Sequence, residues 1–182
     1  MIRLFVAIPL PELVRDRLAG LSGGVRGARW TPPENMHLTL RFIGEVVEPD
    51  LTEIAGALSA IEAPAFPLRF QGVGQFGDRR RARVLWAGVA RSGPLHALRD
   101  RIENALRGAG IVPEGRRYIP HVTLARLKET RPAHLAPFLA AHAAFETQDF
   151  EADRFILYSS HLGQAGAIHT AEAEYLLADG GN

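Results

Sequence analysis

Two histidines in this sequence each stand two residues before a threonine inside a strongly apolar run. The runs are Met36-His37-Leu38-Thr39-Leu40 and Pro120-His121-Val122-Thr123-Leu124. Five further histidines, His96, His134, His142, His161 and His169, lack that spacing. In a strand, residues i and i+2 share a face, so His37 projects with Thr39 and His121 with Thr123, while the apolar residues between them face a core. Imidazole titrates near neutrality, so one histidine can be neutral while the other is protonated. Together they offer a general base and a general acid, and the two hydroxyls can hold non-bridging phosphate oxygens. That set suits a phosphodiester: water activated on one side, the leaving oxygen protonated on the other, the oxyanions clamped between. Ring strain in a 2′,3′-cyclic phosphate makes its leaving group good enough to need no metal. The chemistry leaves open which histidine is the acid.

Alternatives weigh less. A lone strand histidine is usually structural, but two in matching contexts shift the balance to function. Zinc asks for three or four ligands, and no H-x-H, H-E-x-x-H or flanking acid completes a set. The absence of cysteine removes disulfides, zinc–cysteine sites, iron–sulfur clusters and thiol nucleophiles. No G-x-G-x-x-G follows the first strand and there is no Walker lysine; Gly72-Val73-Gly74 lacks the third glycine. No cofactor is expected.

The elements that must position these residues follow from periodicity. Strands are predicted over 2–8, 36–43, 66–76 (with a glycine irregularity), 84–89, 118–124, 150–158 and 167–176. Helices are predicted over 12–21, 49–61, 94–106 and 133–144. Each half thus reads strand, helix, strand, helix, strand, with the His-x-Thr element in the middle strand. Arg3 precedes His37 by 34 residues and Arg83 precedes His121 by 38. An internal duplication covering about 1–78 and 83–160, followed by a C-terminal strand, is the economical reading of one domain spanning 1–182.

The 182 residues carry 47% hydrophobic and 23% charged side chains with a net charge of +1, as in an ordinary globular chain. Such a charge does not advertise a non-specific nucleic-acid binder. Lys128 is the sole lysine; arginine dominance fits bidentate phosphate contacts and equally a GC-rich genome. No apolar run reaches membrane-span length, and 1–9 is too short for a signal peptide, so a cytoplasmic monomer without a membrane partner is expected. The run Asp78-Arg79-Arg80-Arg81-Ala82-Arg83 is a charged turn with a secondary claim to RNA backbone.

At the paired motifs and their flanks, Trp30-Thr31-Pro32-Pro33-Glu34-Asn35-Met36-His37-Leu38-Thr39-Leu40-Arg41-Phe42-Ile43-Gly44 and Tyr118-Ile119-Pro120-His121-Val122-Thr123-Leu124-Ala125-Arg126, the chain resembles the 2H phosphoesterases. Within that superfamily it is similar to the RNA 2′,3′-cyclic phosphodiesterases, also called 2′-5′ RNA ligases. Arg3-Leu4-Phe5-Val6-Ala7-Ile8 and Arg83-Val84-Leu85-Trp86-Ala87-Gly88-Val89 extend the likeness to the opening strand of each half. The resemblance implies a bilobal α+β fold, two pseudo-symmetric lobes each with an antiparallel sheet and outer helices, and a cleft between them. It implies hydrolysis of an RNA-terminal 2′,3′-cyclic phosphate to a 2′-phosphate, with reverse 2′-5′ joining by the same groups. It assigns His37 as proton donor, His121 as proton acceptor, and Thr39, Thr123 and Arg126 as phosphate contacts. Phe42 stands where a base or ribose contact is expected, and equally where a buried strand residue would sit. RNA ends are the expected partners; small cyclic-phosphate nucleotides or ADP-ribose cyclic phosphate, or RNA-end binding without turnover, are the competing readings.

Overall fold

The computed structural model describes residues 1–179. Ten strands and four helices are assigned among them: β1 (Ile2–Pro9), α1 (Glu12–Ala19), β2 (Ala28–Trp30), β3 (His37–Val46), α2 (Glu48–Ser59), β4 (Phe66–Leu68), β5 (Phe70–Gly77), β6 (Ala82–Val89), α3 (Gly93–Gly108), β7 (His121–Thr130), α4 (Ala136–Ala141), β8 (Phe150–Ala152), β9 (Arg154–Gly163) and β10 (Gly166–Leu176).

Two four-stranded antiparallel sheets carry the fold, ordered β10-β9-β1-β3 and β2-β7-β6-β5, and β4 pairs with β8 apart from both. The strands therefore do not sort by sequence half. β5, from the first half, pairs with β6 in the second sheet, and β9, from the second half, pairs with β1 in the first. The reason lies in β1, where Leu4, Phe5, Val6, Ala7 and Ile8 are all buried. A strand so apolar needs a hydrogen-bonded neighbour on both edges as well as cover on both faces. The repeat is thus an exchange: the first half lends β5 and the short β2 to the second sheet, and the second half lends β9 to the first.

One core lies under both sheets. It joins Leu4, Val6 and Ile8 of β1 with Leu38 and Leu40 of β3, Leu85 and Ala87 of β6, and Val122 and Leu124 of β7. Helices close it. α3 begins where the Ser92 hydroxyl accepts from the Leu95 amide at 3.2 Å, with Pro94 in the first turn. It buries Leu95, Leu98, Ile102 and Leu106, as its spacing predicts. α1 buries Val14 and Leu18, whereas Leu13 is exposed, so its apolar stripe is narrower than expected. The single helix predicted over 133–144 is instead a 3-10 turn, Pro132–Leu135, followed by α4. Pro137 sits in the first turn of α4, where proline starts a helix rather than continuing one.

The strand predicted over 66–76 is split into β4 and β5, and the pairing of β5 with β6 is broken between Phe70 and Val73, where Gly72 adopts φ 73°. No helix among the described residues is long and apolar enough to cross a membrane.

Candidate active site

β3 and β7 carry the same pattern of exposure through their first seven residues. Leu38 and Leu40 on one, Val122 and Leu124 on the other, are inaccessible, while His37, Thr39, His121 and Thr123 are partly open. Period two is obeyed that far and then broken. On β3, Ala7 faces Thr39 and Val6 faces Arg41, so Leu40 and Arg41 together oppose one residue. On β7, Trp86 faces Thr123 and Leu85 faces Ala125, so Leu124 and Ala125 do the same. Each is a β-bulge. Strict alternation would send Phe42 and Arg126, five residues after their histidines, to the core face. The bulge returns both to the histidine face, and Phe42 is 61% exposed. Its ring lies 5.9 Å from that of Phe5, which is also edge-on to His37 at 5.6 Å.

The two strands lie against each other. Tyr118, in the segment leading to β7, donates from its hydroxyl to the Thr39 carbonyl at 2.9 Å. The Thr31 amide donates to Leu124 at 2.9 Å. A buried ion pair ties the same region together: Arg41 Nε donates to Glu103 Oε2 on α3 at 2.9 Å. Arg41 also donates to the carbonyls of Phe42 and Val112. Arg99 adds a second cation at 3.4 Å from Glu103. Burial works to raise the Glu103 carboxyl, and Arg41, the Glu114 amide and Arg99 outweigh it, leaving it below the ordinary range. The pair and the bulge share Arg41, which is one of the two residues opposite Val6, so the ion pair anchors the bulge.

Each imidazole is oriented from behind. His121 Nδ1 lies 2.7 Å from the Ile119 carbonyl, which fixes a proton on Nδ1 and leaves Nε2 as the free nitrogen. The Asn35 backbone makes the corresponding contact with His37. Burial pushes the His121 pKa down against the opposing effect of the Ile119 hydrogen bond. His37 is pushed further, to about 4, first by burial, then by the imidazole of His169 and the guanidinium of Arg15. Burial thus favours the neutral form of both imidazoles.

Aromatic rings line both halves. His121 meets Phe76 edge-on at 4.8 Å and Trp86 at 6.3 Å. Trp86 lies over Gly74, where an added Cβ would fall 2.3 Å from its ring. The glycine irregularity of β5 thus makes room for an indole. On the other side His37 is surrounded by Phe5, Tyr158 at 4.9 Å and His169 at 4.8 Å.

Arg126 is exposed on β7, opposite Arg29 of β2 and Val84 of β6. The arginine run 79–81 is not part of this constellation. It caps the β5–β6 turn, where Ala82 pairs with Thr130, and the Asp78 carboxylate accepts from the Arg80 and Arg81 amides. His121 pairs with Gly88 at the other end of β7, roughly 25–30 Å away along the strand. His169 is the residue that sequence reasoning passed over. It lacks the threonine two positions on, and it reaches the site only because β9 and β10 join the first sheet.

A model of the family described as LigT like Phosphoesterase matches the chain twice, over residues 8–86 and 89–169. An RNA 2′,3′-cyclic phosphodiesterase of Aeropyrum pernix is 39% identical over 151 residues, spanning 81% of this chain and 85% of its own length. One from Thermotoga maritima is 33% identical over 173 residues, spanning 92% and 91%. The crystal structure of Escherichia coli LigT complexed with 3′-AMP superposes with a TM-score of 0.78 at 25% identity, over 97% of this chain and 98% of that one.

Proposed function

We propose that this chain, which belongs to the LigT-like phosphoesterase family, hydrolyses the 2′,3′-cyclic phosphate at an RNA end to a 2′-phosphate without a metal. The observation that carries the mechanism is the repeated face: two adjacent strands, each presenting an imidazole and a hydroxyl just before an equivalent bulge. The name borne by the Aeropyrum pernix and Thermotoga maritima relatives supports the substrate.

His121, neutral and with Nε2 free, takes a proton from water as the water oxygen bonds to phosphorus. The bond from phosphorus to the 3′-oxygen breaks on the opposite side, and His37 gives that oxygen its proton. Thr39 and Thr123 donate to the non-bridging oxygens, and Arg126 balances their charge. Depression of the His121 pKa suits a base. His37 must instead gain a proton before it can act, and a phosphodiester anion beside it works in that direction, because a nearby negative charge favours the cationic form. Phe42 offers a ring for a base or ribose. With a 5′-hydroxyl in place of water, the same proton transfers make a 2′-5′ bond. One chain holds both motifs, so a monomer suffices.

The test is incubation with an oligonucleotide ending in a 2′,3′-cyclic phosphate, in EDTA, with assignment of the product phosphate to the 2′ or 3′ oxygen. The expected product is the 2′-phosphate, and His37→Ala or His121→Ala each loses about 10²–10⁴ in rate. Full activity in either variant, or loss to EDTA, overturns the mechanism. A parallel assay with mononucleotide 2′,3′-cyclic phosphates separates RNA ends from small nucleotides, a distinction raised by the 3′-AMP complex of the Escherichia coli relative.

A further inference from the structure

His169 lies outside both motifs and has a counterpart in neither. It stands on β10, paired with Ser160 of β9, and its Nδ1 is 3.4 Å from His37 Nε2. In the proposed mechanism His37 must carry a proton to a leaving oxygen, so a second imidazole at this distance from its ring nitrogen bears on the acid itself. The His169 ring is held edge-on by Phe5 at 5.0 Å, and its strand is anchored where Asn35 donates to the Ala167 carbonyl at 3.1 Å. Asn35 immediately precedes the first motif, so one short segment fixes the placement of both imidazoles. His169 is partly buried, as His37 is.

We infer that His169 is a positioning residue that holds and reloads the proton of His37, passing it from its own Nδ1 to His37 Nε2 between turnovers. The inference rests on the reading of His37 as the acid. Hydrolysis leaves the water's proton on His121 and removes one from His37, so each cycle must return a proton to His37. Burial makes that return slow without a partner: His37 is packed among Phe5, Tyr158 and His169. His169 gives its Nδ1 proton to His37 Nε2 and takes one from solvent on Nε2, so it ends neutral as the Nε2–H tautomer. Release of the Nε2 proton to water and uptake of another at Nδ1, once substrate has displaced it from His37, restore the starting tautomer, and the proton that His121 releases to solvent balances the one taken up. Substrate then replaces His169 at His37 Nε2, because that nitrogen makes one hydrogen bond at a time.

The charged and titratable groups bearing on the pair are Arg15 of α1 and the Tyr158 phenol of β9, with Arg154 and Glu174 bearing in turn on that phenol. Burial raises Tyr158, so it stays neutral through the physiological range. Arg15 is a fixed cation. The group of this set that can exchange a proton with His37 is His169 itself, whose pKa burial also lowers.

The experiment compares wild type with His169→Phe, which keeps a ring against Phe5, and His169→Gln, which keeps a hydrogen-bonding group without titration. Rates on the cyclic-phosphate oligonucleotide are read from pH 5.5 to 9, with and without added imidazole. Above pH 7 both variants are expected to lose about tenfold in kcat, below the full range for a general acid because His37 remains. KM is expected within about twofold of wild type, and imidazole to restore kcat in part, more in His169→Gln than in His169→Phe, whose ring fills the space. An unchanged pH profile in both variants overturns the inference. So does a loss equal at all pH values and untouched by imidazole, which marks a packing role. If His37→Ala itself keeps full activity, the underlying reading fails; if it is inactive while His169→Phe is unaltered, only this inference fails.

Discussion

Lowering the His37 pKa by burial has a thermodynamic consequence that can be measured without substrate. Its pKa in the folded chain is about 4, against about 6.5 in an unfolded one. Between those values the unfolded state binds a proton that the folded state refuses, so stability rises with pH across the window and falls as pH drops through it. At pH 5 the unfolded histidine is almost fully protonated and the folded one about a tenth, which gives a loss of about 2 kcal/mol relative to pH 7.5. The lowered pKa values of His121 and His169 act in the same direction. The carboxylates held below their ordinary range, Asp78 and Glu103, give up their contribution only below the usual carboxylate region. A lower limit of pH 5 therefore isolates the histidines. Urea unfolding at pH 7.5, 6 and 5, in buffer free of phosphate, should show wild type losing stability and His37→Gln losing about 2 kcal/mol less over the same interval. The readout is the difference in slope, so any fixed effect of the substitution cancels. Parallel curves for the two proteins would refute the reasoning, since His37 would then titrate alike in the folded and unfolded states.

Three further outcomes follow from the same geometry. Thr39→Val and Thr123→Val should each lower kcat/KM by about 10²-fold, as for removal of one preorganised donor, with folding unchanged by circular dichroism; a loss of less than threefold in both would remove the hydroxyls from the phosphate site. Arg41→Leu leaves Glu103 buried with Arg99 alone and should cost about 3 kcal/mol in urea unfolding, the low end for breaking a buried pair, whereas a cost below about 1 kcal/mol would mean that Arg99 suffices. Gly74→Ala drives a methyl into Trp86, so activity should fall with the indole displaced from His121 and tryptophan fluorescence shifted, and wild-type rates would show the Trp86 platform to be dispensable.

The parts of the site legible in the sequence are those governed by local geometry. Period two put His37 with Thr39 and His121 with Thr123, and the helix stripe of Leu95, Leu98, Ile102 and Leu106 is buried as its spacing requires. The bulges were not legible, because Leu40-Arg41 and Leu124-Ala125 share no residue type that marks an inserted position. Without them, the alternation places Phe42 and Arg126 on the wrong face. Arg41 shows the difficulty sharply: an arginine in a strand reads as solvent-facing, and only Glu103, 62 residues away on α3, makes its burial affordable. The exchange of β5 and β9 between sheets was equally hidden, since pairing depends on which edges remain unsatisfied after both halves fold.

That exchange also bears on the open question of acid and base. The motifs are nearly equivalent in sequence, and β9-β1-β3 matches β5-β6-β7 strand for strand. What breaks the equivalence is the fourth strand. The first sheet adds β10 beyond β9, on the side that brings His169 to His37; the second adds the short β2 beyond β7, which brings Arg29 opposite Arg126. One histidine therefore gains a titratable neighbour able to exchange a proton, and the other gains a patch of fixed positive charge suited to phosphate oxygens. Two copies of one motif become chemically distinct through β10 and β2, the strands of each sheet that have no equivalent in the other, which gives a physical basis for unequal roles that neither motif contains by itself.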